Sequence, residues 1–587
     1  MPPDSLQERF EELLDQVSQE HLASGQGTVR PETSSDGDSI LIMRALAYVL
    51  EKTERLVEEG ASALRSSVGT HLFPTEFVPK GSMLVLEQDS NIDRICQLPS
   101  GTEFFLRRPN LGTQRFRKIA STPLSPFRIK GVRHSFNDDR QTTDLTILLK
   151  GAVAVDALEM GALRFLLRGP IKTRRKLYRS FRRDIKRIVL QMGAKEFSVD
   201  LNKIRNVFEG NKFLQLAGRN QGDLAFDIVE YFLNFPEVLL NFELKLDDIR
   251  GQWEAMSADD DDDDVPGLTD SIEIRFEFEG DVFSGIELNP KHFVFNPILA
   301  ENTYIKPSSV TFRNPESEAM SFDIGMTESD SEFAIDVLHV FEAGSDEDPA
   351  PSFISATASE RGVPNVRGRF QLLETGPSRG SVKHSPLKVA LADNVRQLFS
   401  EPIPFMADLL CTNGEAVQGL EAGATLRAEH NELGVLVFRS VTPSTRYQSI
   451  DGDRHQLLNE LLDVYGCDIN VFGDTARFKA IWMFFVNRMQ LPARETLKYS
   501  KGLLSSSLDV RQIIENRGSI PSYDLRIIID DAVFSNGPEL FVFADVIHML
   551  MVRMCPINSV CNFEIESSTS GEVRKWPTVI ASERLTP

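Results

Sequence analysis

Residues 523–530 read YDLRIIID, a short run rich in β-branched side chains that follows Pro521 and ends in an acid. Such a run is typical of a largely buried β-strand. Residues 536–539 (NGPE) then supply a turn, a proline suited to the first helical turn and an acid that suits the positive end of a helix dipole. We therefore predict a helix after this turn, with an apolar face made of Leu540, Phe543, Ile547, Leu550, Met551 and Met554.

The residues beyond this helix complete a folding unit. Pro556 is expected to stop the helix, and residues 559–566 (SVCNFEIE) alternate like a strand with one solvent-facing side. A Ser-Thr-Ser-Gly turn then leads to residues 572–577 (EVRKWP), which read as the hairpin partner of that strand. The sequence therefore predicts a C-terminal unit of strand, helix, strand and hairpin partner.

Length and composition indicate a soluble protein with several domains. The chain has 587 residues, of which 41% are hydrophobic and 26% charged, and its formal net charge is -22. A chain of this length is expected to form roughly three to five domains. Its overall charge would repel a nucleic-acid backbone. The longest apolar runs, such as 152–167 and 540–552, are too short or too interrupted to cross a membrane, and no basic-then-apolar signal peptide is visible at the start.

Motifs for catalysis, cofactors or metals are missing from the sequence. The five cysteines are scattered and form no C-x-x-C pair, which suits a reducing cytoplasm and argues against disulfide and zinc frameworks. No P-loop, G-x-S-x-G elbow, H-E-x-x-H or kinase loop is present. We therefore expect no catalytic residue, cofactor or metal ion. A hydrolase built on two carboxylates stays open as an alternative, because 86 acids cannot be paired from sequence alone.

The order of patterns predicts an α+β, multidomain chain. Residues 1–70 form an N-terminal helical region, with amphipathic helices at 5–22 and 40–64 that pack either within their own domain or onto a partner subunit. A mixed α/β domain is predicted at 71–250, a β-rich domain at 269–385 and an α/β domain at 386–587. The intervening residues 251–268 hold the acidic run Asp259–Asp264, which reads as a hydrated linker and lacks the ligand spacing of a calcium loop.

A strongly basic segment lies within a predicted helical block at 163–192. It contains Lys172, Arg174, Arg175, Lys176, Arg179, Arg182, Arg183, Lys186 and Arg187. Three interpretations stay open: a solvated face, an ion-paired contact with an acidic partner or with another part of this acidic chain, and nucleic-acid binding. The last has the least support, because aromatic stacking residues and DNA-binding motifs are absent.

Residues 230–237 read EYFLNFPE and are followed by further apolar residues up to Phe242. Pro236 is expected to stop a helix here, and the crowded aromatics are more typical of a core than of a ligand site.

These stretches resemble the TssF (VasA/ImpG) family, the baseplate subunits of the bacterial type VI secretion system. The C-terminal unit, with INS at 557–559 and GEVRKWP at 571–577, is similar to the C-terminus of that family. Residues 230–237 are similar to its E-Y-F-x-F-P-E segment, with one extra residue between the aromatics. Shorter family-like segments are LPSGTEF at 98–104 and LCTN at 410–413. The resemblance covers roughly residues 39–577, while the family's usual Tyr-rich opening helix is not visible.

The resemblance implies a non-enzymatic wedge subunit with a phage-tail baseplate fold. Its expected partners are a TssG-like protein, with two copies of this chain per TssG, together with TssK, TssE, the VgrG hub and a further copy of itself. The assembly would sit in the cytoplasm at the inner membrane and start sheath and tube polymerisation. A baseplate protein of a phage tail or extracellular contractile particle is the alternative. The residues we predict to contact partners are Glu230, Tyr231, Phe232, Phe235, Pro236, Arg574, Trp576 and Pro577.

Overall fold

The computed structural model describes most of residues 79–581. The residues within that range that it leaves undescribed are 100, 110, 120–121, 208–225, 258–264, 314–318, 326–330, 345–351, 356–364, 375–386, 392–402, 450–453, 490–492, 516–517 and 535–536. The two predicted N-terminal helices and the Asp259–Asp264 run lie outside the described residues. The chain divides into two compact units. One consists of Met1–Leu72 and Gly452–Asn459, and the other of Phe73–Asp451 and Glu460–Pro587. All strands named below belong to the second unit, and the predicted domain boundaries stay predictions.

Strands are the commonest element of the described chain. In chain order they are β1 Met83–Gln88, β2 Cys96–Gln97, β3 Glu103–Arg108, β4 Gly112–Lys118, β5 Pro123–Leu124, β6 Arg128–Asn137, β7 Thr142–Asp156, β8 Ala162–Leu167, β9 Ile185–Met192, β10 Lys195–Val199, β11 Ile204–Asn206, β12 Asn241–Lys245, β13 Leu268–Glu279, β14 Phe293–Phe295 and β15 Ile298–Glu301. They continue as β16 Tyr304–Pro307, β17 Thr311–Phe312, β18 Met320–Phe322, β19 Phe333–Glu342, β20 Ser352–Ser355, β21 Val366–Glu374, β22 Leu387–Leu391, β23 Pro404–Thr412, β24 Thr425–His430, β25 Gly434–Ser440, β26 Leu503–Glu515, β27 Gly518–Ile529, β28 Val560–Ser567, β29 Val573–Lys575 and β30 Val579–Ile580.

The described α-helices are fewer. They are α1 Ile171–Arg179, α2 Asp227–Asn234, α3 Pro236–Leu239, α4 Ile249–Ser257, α5 Arg454–Tyr465, α6 Thr475–Arg488, α7 Ala493–Gly502 and α8 Gly537–Met554. This strand-rich mixture of several sheets and helices confirms the predicted α+β, multidomain class.

Six strands from distant parts of the sequence close into a barrel in the order β1-β15-β4-β3-β24-β25. Alternate side chains of each strand point inward and fill it. Phe104 of β3 and Phe438 of β25 meet edge to face in the interior, with ring centroids 4.9 Å apart. Both rings are fully buried, so apolar packing holds together strands that are more than 300 residues apart in the chain.

Two neighbouring sheets share the largest of the apolar cores that the described residues form. One has the order β10-β9-β13-β7-β6 and the other β11-β12-β8-β14. Residues 271–278 (SIEIRFEF) alternate between polar and apolar side chains and lie in β13, which pairs with both β7 and β9. Its buried side chains follow every second position and point into one core: Ile272, Ile274, Phe276 and Phe278. A further sheet, β16-β23-β19-β20-β21-β22-β18, has its own core, and β17 joins it by pairing with β23.

The C-terminal unit has the predicted order. The strand predicted at 523–530 is part of β27, which pairs in parallel with β28, and α8 makes the crossover between them. The hairpin partner predicted at 572–577 is β29, antiparallel to β28. The sequence-based prediction missed β26, which pairs with β27 along its whole length and lies at the edge of this sheet.

The prediction of one helical block at 163–192 is wrong at both ends, where the chain forms β8 and β9. Only α1 and a following π-helical turn, Ser180–Asp184, are helical, and they lie between β8 and β9. Leu177 and Phe181 fit the helical spacing, but Ile188, Leu190 and Met192 alternate and are buried. Pairing of β9 with β13 satisfies their backbone groups, so tertiary pairing overrides the weak helical pattern here.

Candidate partner-binding surfaces

The basic segment on and after α1 pairs with acids of this same chain. Arg174 contacts Glu237 at 3.0 Å, and Arg175 contacts Glu539 at 3.1 Å. Beyond the helix, Arg182 contacts a third acid, Asp545, at 3.0 Å. Of the three sequence interpretations, the structure supports an ion-paired contact with another part of this acidic chain.

Asp545, in the middle of α8, is the centre of this contact. Its side chain is completely buried and accepts hydrogen bonds from Arg182 Nε at 3.0 Å and from Arg182 Nη2 at 3.1 Å. The Tyr178 hydroxyl donates a further hydrogen bond, and Trp576 Nε1 donates one at 3.1 Å. Four donor groups from three residues thus converge on one carboxylate, which is the condition under which a buried charge is tolerated.

Burial and hydrogen bonding act in opposite directions on this carboxyl group. Burial raises the pKa of Asp545, but the charge of Arg182 and the hydrogen bonds from Arg182 and Tyr178 outweigh it and hold the pKa below its usual value. One helical turn away, burial lowers the pKa of His548 to about 4 despite the nearby Asp545 charge. His548 is therefore neutral at pH 7. Its ring stacks on Phe563 at 5.8 Å, and among the described residues neither ring nitrogen has a hydrogen-bond partner.

The first turn of α8 carries a second buried acid. Glu539 contacts Arg175 of α1 and Lys498 of α7, and the Tyr499 hydroxyl donates to its Oε1 at 3.4 Å. An acid at this place also suits the positive end of the helix dipole. Since α8 is apolar around almost its whole circumference, these two acids are the points at which it is tied to α1 and α7.

Five of the eight predicted partner-contact residues are buried in the described structure. The Phe232 ring lies 4.9 Å from that of Tyr499 and 5.9 Å from that of Trp482, and the Trp576 ring stacks on Phe541 at 5.3 Å. Glu230 forms an ion pair with Lys80. The buried five are Glu230, Tyr231, Phe232, Phe235 and Trp576, while Arg574 is half-buried and Pro236 and Pro577 are exposed.

Arg574 and the two exposed prolines are the predicted residues that reach the surface. Arg574 Nε pairs with Glu572 at 2.9 Å, next to the buried Trp576. The role of all eight residues in contacts with partners stays a prediction. What the structure adds is that the aromatic members hold α2, α6, α7 and α8 together, because their rings pack against one another.

A small surface cavity of about 150 Å³ lies where these elements meet. This volume matches one aromatic or branched side chain. Apolar side chains of α2 and α8 line the cavity, and so do basic side chains of α1 and α7. The lining includes Phe232, Leu233, Pro236, Leu240, Val542, Arg174, Arg175 and Lys498.

A second surface feature is the end of the β26–β27 hairpin, which sequence reasoning did not identify. Val510, Ile513 and Ile514 are exposed there. The sequence does contain a signal for it, since the apolar and β-branched residues of 508–514 precede Asn-Arg-Gly at 516–518, a composition typical of a hairpin turn. In the described parts of the chain, no helix is long and apolar enough to cross a membrane, and no three His, Cys, Asp or Glu side chains are grouped as metal ligands.

No protein-family model and no curated protein matches the sequence. Solved structures do match the fold. One is a chain of the type VI secretion system TssK-TssF-TssG baseplate subcomplex, determined by cryo-electron microscopy, with a TM-score of 0.74 and 12% identity over 92% of this chain and 98% of that chain. Another is a chain of the baseplate complex from the type VI secretion system, with a TM-score of 0.52 and 12% identity over 99% of this chain and all of that chain. The family resemblance is thus confirmed at the level of the fold: this chain has the fold of a type VI secretion baseplate subunit.

Proposed function

We propose that this chain is a TssF-like wedge subunit of a type VI secretion baseplate and acts as a structural protein without catalytic activity. The observation that carries the proposal is the match along nearly the full length of both chains to a component of a TssK-TssF-TssG subcomplex. A shared fold over one domain would say little about function, but a shared arrangement of several sheets supports a shared structural role.

Exposed apolar side chains support the proposal independently. Ile305, Val310 and Phe312 lie close in sequence on and between β16 and β17, which both pair with β23, and all three are exposed. A group of large apolar side chains in contact with water is costly in a monomer and typical of a surface that a partner covers. Ile514 and Ile580 add further exposed positions at the C-terminal sheet.

The finer features of the proposal follow from the family resemblance. The chain assembles with a TssG-like protein, two copies to one, and with TssK. Together with TssE, the complex surrounds the VgrG hub and starts polymerisation of the sheath and tube at the cytoplasmic face of the inner membrane. Charge patterns on such interfaces set register and partner choice more than affinity.

Co-expression with a TssG-like protein tests the proposal. We expect a stable complex on size-exclusion chromatography whose mass corresponds to two copies of this chain and one partner. Each protein expressed alone is the control for self-association. A chain that elutes as a monomer in the presence of the partner would contradict the proposal and favour a different role, such as a carboxylate-based hydrolase, which a bell-shaped pH–rate profile would reveal.

A further inference from the structure

The surface cavity between α1, α2, α7 and α8 has room for one side chain and for little else. Its volume of about 150 Å³ is well below the roughly 300–1,000 Å³ that is typical of sites for cofactors and drug-sized ligands. Phe232, Leu233 and Val542 are buried and give it apolar walls, while Ile171 and Pro236 of the same lining are exposed to solvent. A cavity of this size and lining fits the anchor residue of a protein partner, which is typically one aromatic or branched side chain.

The charged side chains that line the cavity are not balanced. Arg174 pairs with Glu237 at 3.0 Å, whereas the buried Glu539 is shared by Arg175, at 3.1 Å, and Lys498. Three bases and two acids leave this lining with one positive charge in excess, although the whole chain has a formal net charge of -22. A local excess of positive charge on an acidic protein favours an acidic partner at that place.

A buried donor of one lining residue has no acceptor among the described residues. Arg174 Nη1 donates to Glu237 Oε1 at 3.0 Å, but the Nε atom of the same guanidinium is buried and has no hydrogen-bond partner in the described part of the chain. A buried N–H without an acceptor costs free energy, which an acceptor supplied by a partner would recover. Since a guanidinium matches a carboxylate in geometry and charge, an acid is the acceptor that suits Arg174 best.

We propose that this cavity receives one aromatic or branched apolar side chain of a partner subunit, and that an acid next to it in the partner's sequence binds Arg174. The inference rests on the proposed function, which supplies a TssG-like protein as the partner. It also gives a part to the predicted contact segment at 230–237, because Phe232 and Pro236 line the cavity. One anchored side chain buries little area, so this contact belongs to a larger interface.

Two substitutions of Ile171 test the predicted sign of the partner's charge. Ile171 is the first residue of α1 and its side chain is 50% exposed, so a charged replacement is compatible with folding. Both Ile171→Glu and Ile171→Lys remove the apolar side chain, but the glutamate also competes with the partner's acid for Arg174. We expect the affinity for the TssG-like protein, measured by isothermal titration calorimetry, to fall by about tenfold or more for Ile171→Glu and by about threefold or less for Ile171→Lys.

Leu201→Glu is the matched control for this experiment. Leu201 is 46% exposed, begins a short 3-10 turn and does not line the cavity, so the affinity should stay unchanged. A loss for Ile171→Lys as large as that for Ile171→Glu would overturn the proposal, and so would an equal loss for the control. If both Ile171 variants bind the partner as tightly as the natural chain, the cavity contact is rejected while the proposed function stands.

A small probe tests the cavity without any partner. 3-Phenylpropionate carries an aromatic ring and a carboxylate, and we expect it to bind the free full-length chain with a dissociation constant on the order of 1 mM, measured by ligand-observed NMR. The neutral alcohol 3-phenylpropan-1-ol should bind at least fivefold more weakly. Arg174→Gln should weaken binding of the acid by a similar factor, whereas Arg526→Gln on the outer face of the C-terminal sheet should leave it unchanged.

The outcomes of the probe experiment separate this inference from the proposed function. Absence of binding to the free chain would overturn the inference, because a cavity filled by this chain itself has no room for a partner's side chain. Binding that is equally strong for the acid and the alcohol, or that is indifferent to Arg174→Gln, would also overturn it. Carboxylate-dependent binding in a chain that forms no complex with the TssG-like protein would support the cavity and contradict the proposed function.

Discussion

Two groups of ion pairs that involve the C-terminal unit use the same residue types in opposite surroundings. Around α8, the side chain of Asp545 is completely buried and that of Arg182 nearly so. On the outer face of the C-terminal sheet, Arg526 contacts Glu566 at 2.5 Å, but the Arg526 side chain is half exposed. Solvent competes with the second pair and not with the first. The comparison teaches that the buried pairs specify how the helices join, whereas the exposed charges remain available to a partner.

The largest expected effect comes from removing the central buried acid. Asp545→Ala removes the buried carboxylate that accepts hydrogen bonds from Arg182, Tyr178 and Trp576. We expect a loss of about 3–5 kcal/mol in the free energy of unfolding, measured by urea denaturation with circular dichroism. Glu566→Ala on the exposed face is the control. Equal effects of the two substitutions would erase the distinction between the two regions.

The next largest effect is a pH dependence of the free energy of unfolding that comes from the buried groups of α8. The pKa of His548 in the folded state, about 4, lies below its unfolded value of 6.5, so the unfolded chain binds the proton first. Its neutral form gives full stability above pH 6.5, and that stability is lost as the pH falls towards 4. The depressed pKa of Asp545 acts in the same direction below the ordinary carboxyl range.

His548→Phe isolates the contribution of the histidine. We expect unchanged or higher stability at pH 7.5, because a ring with no hydrogen-bond partner among the described residues is replaced by an apolar one. Between pH 6.5 and 4 the variant should lose about 3 kcal/mol less than the natural chain. Thermal unfolding across this pH range makes the measurement. Parallel curves for the two proteins would show that His548 is not the titrating group.

A smaller effect is expected when one hydrogen bond of Trp576 is removed while its ring packing is kept. Trp576→Phe keeps an aromatic ring against Phe541 but removes the indole N–H that donates a hydrogen bond to Asp545. We expect a loss of about 1.5–3 kcal/mol in the free energy of unfolding. Trp253→Phe is the matched control, since Trp253 stacks on Phe197 and its Nε1 has no partner among the described residues. If Trp253→Phe lowers the free energy of unfolding as much as Trp576→Phe does, the loss is due to ring packing alone.

The smallest effect is expected on the exposed face. Arg526→Ala breaks contacts with Glu564 and Glu566 in open solvent. Because solvent replaces such contacts at little cost, the unfolding midpoint should stay within experimental error at physiological salt. Urea denaturation of the variant beside Asp545→Ala checks this. A clear destabilisation would mean that this face also contributes to the fold.

Local patterns predicted some elements well and others poorly. The strand at 523–530 and the following helix are predicted correctly. The run of β-branched residues and the helical spacing of apolar residues are both uninterrupted, and a proline-containing turn separates them. The block at 163–192 was misread, since Leu177 and Phe181 suggested one helix while Ile188, Leu190 and Met192 belonged to a strand. Pairing with β13 decided the outcome, and β13 lies some 80 residues further along the chain.

The buried ion pairs illustrate what was partly visible. Asp545 and His548 interrupt an otherwise apolar helix, and a lone acid in such a place requires a buried partner. The basic segment at 172–187 supplied candidates, so pairing within the chain was among the interpretations. Which cation meets which acid could not be read, because Arg182 and Asp545 are 363 positions apart.

The sequence by itself determined the class of the chain, the strand-helix-strand unit at its C-terminus and the family whose fold it shares, because these depend on short-range periodicity and on the order of segments. Tertiary structure alone decided that Trp576 is buried, which acids pair with Arg174, Arg175 and Arg182, and that β26 lies at the edge of a sheet. Burial and pairing are set by contacts between distant segments, and in a chain with 86 acids and 64 bases composition permits far more pairings than the fold selects.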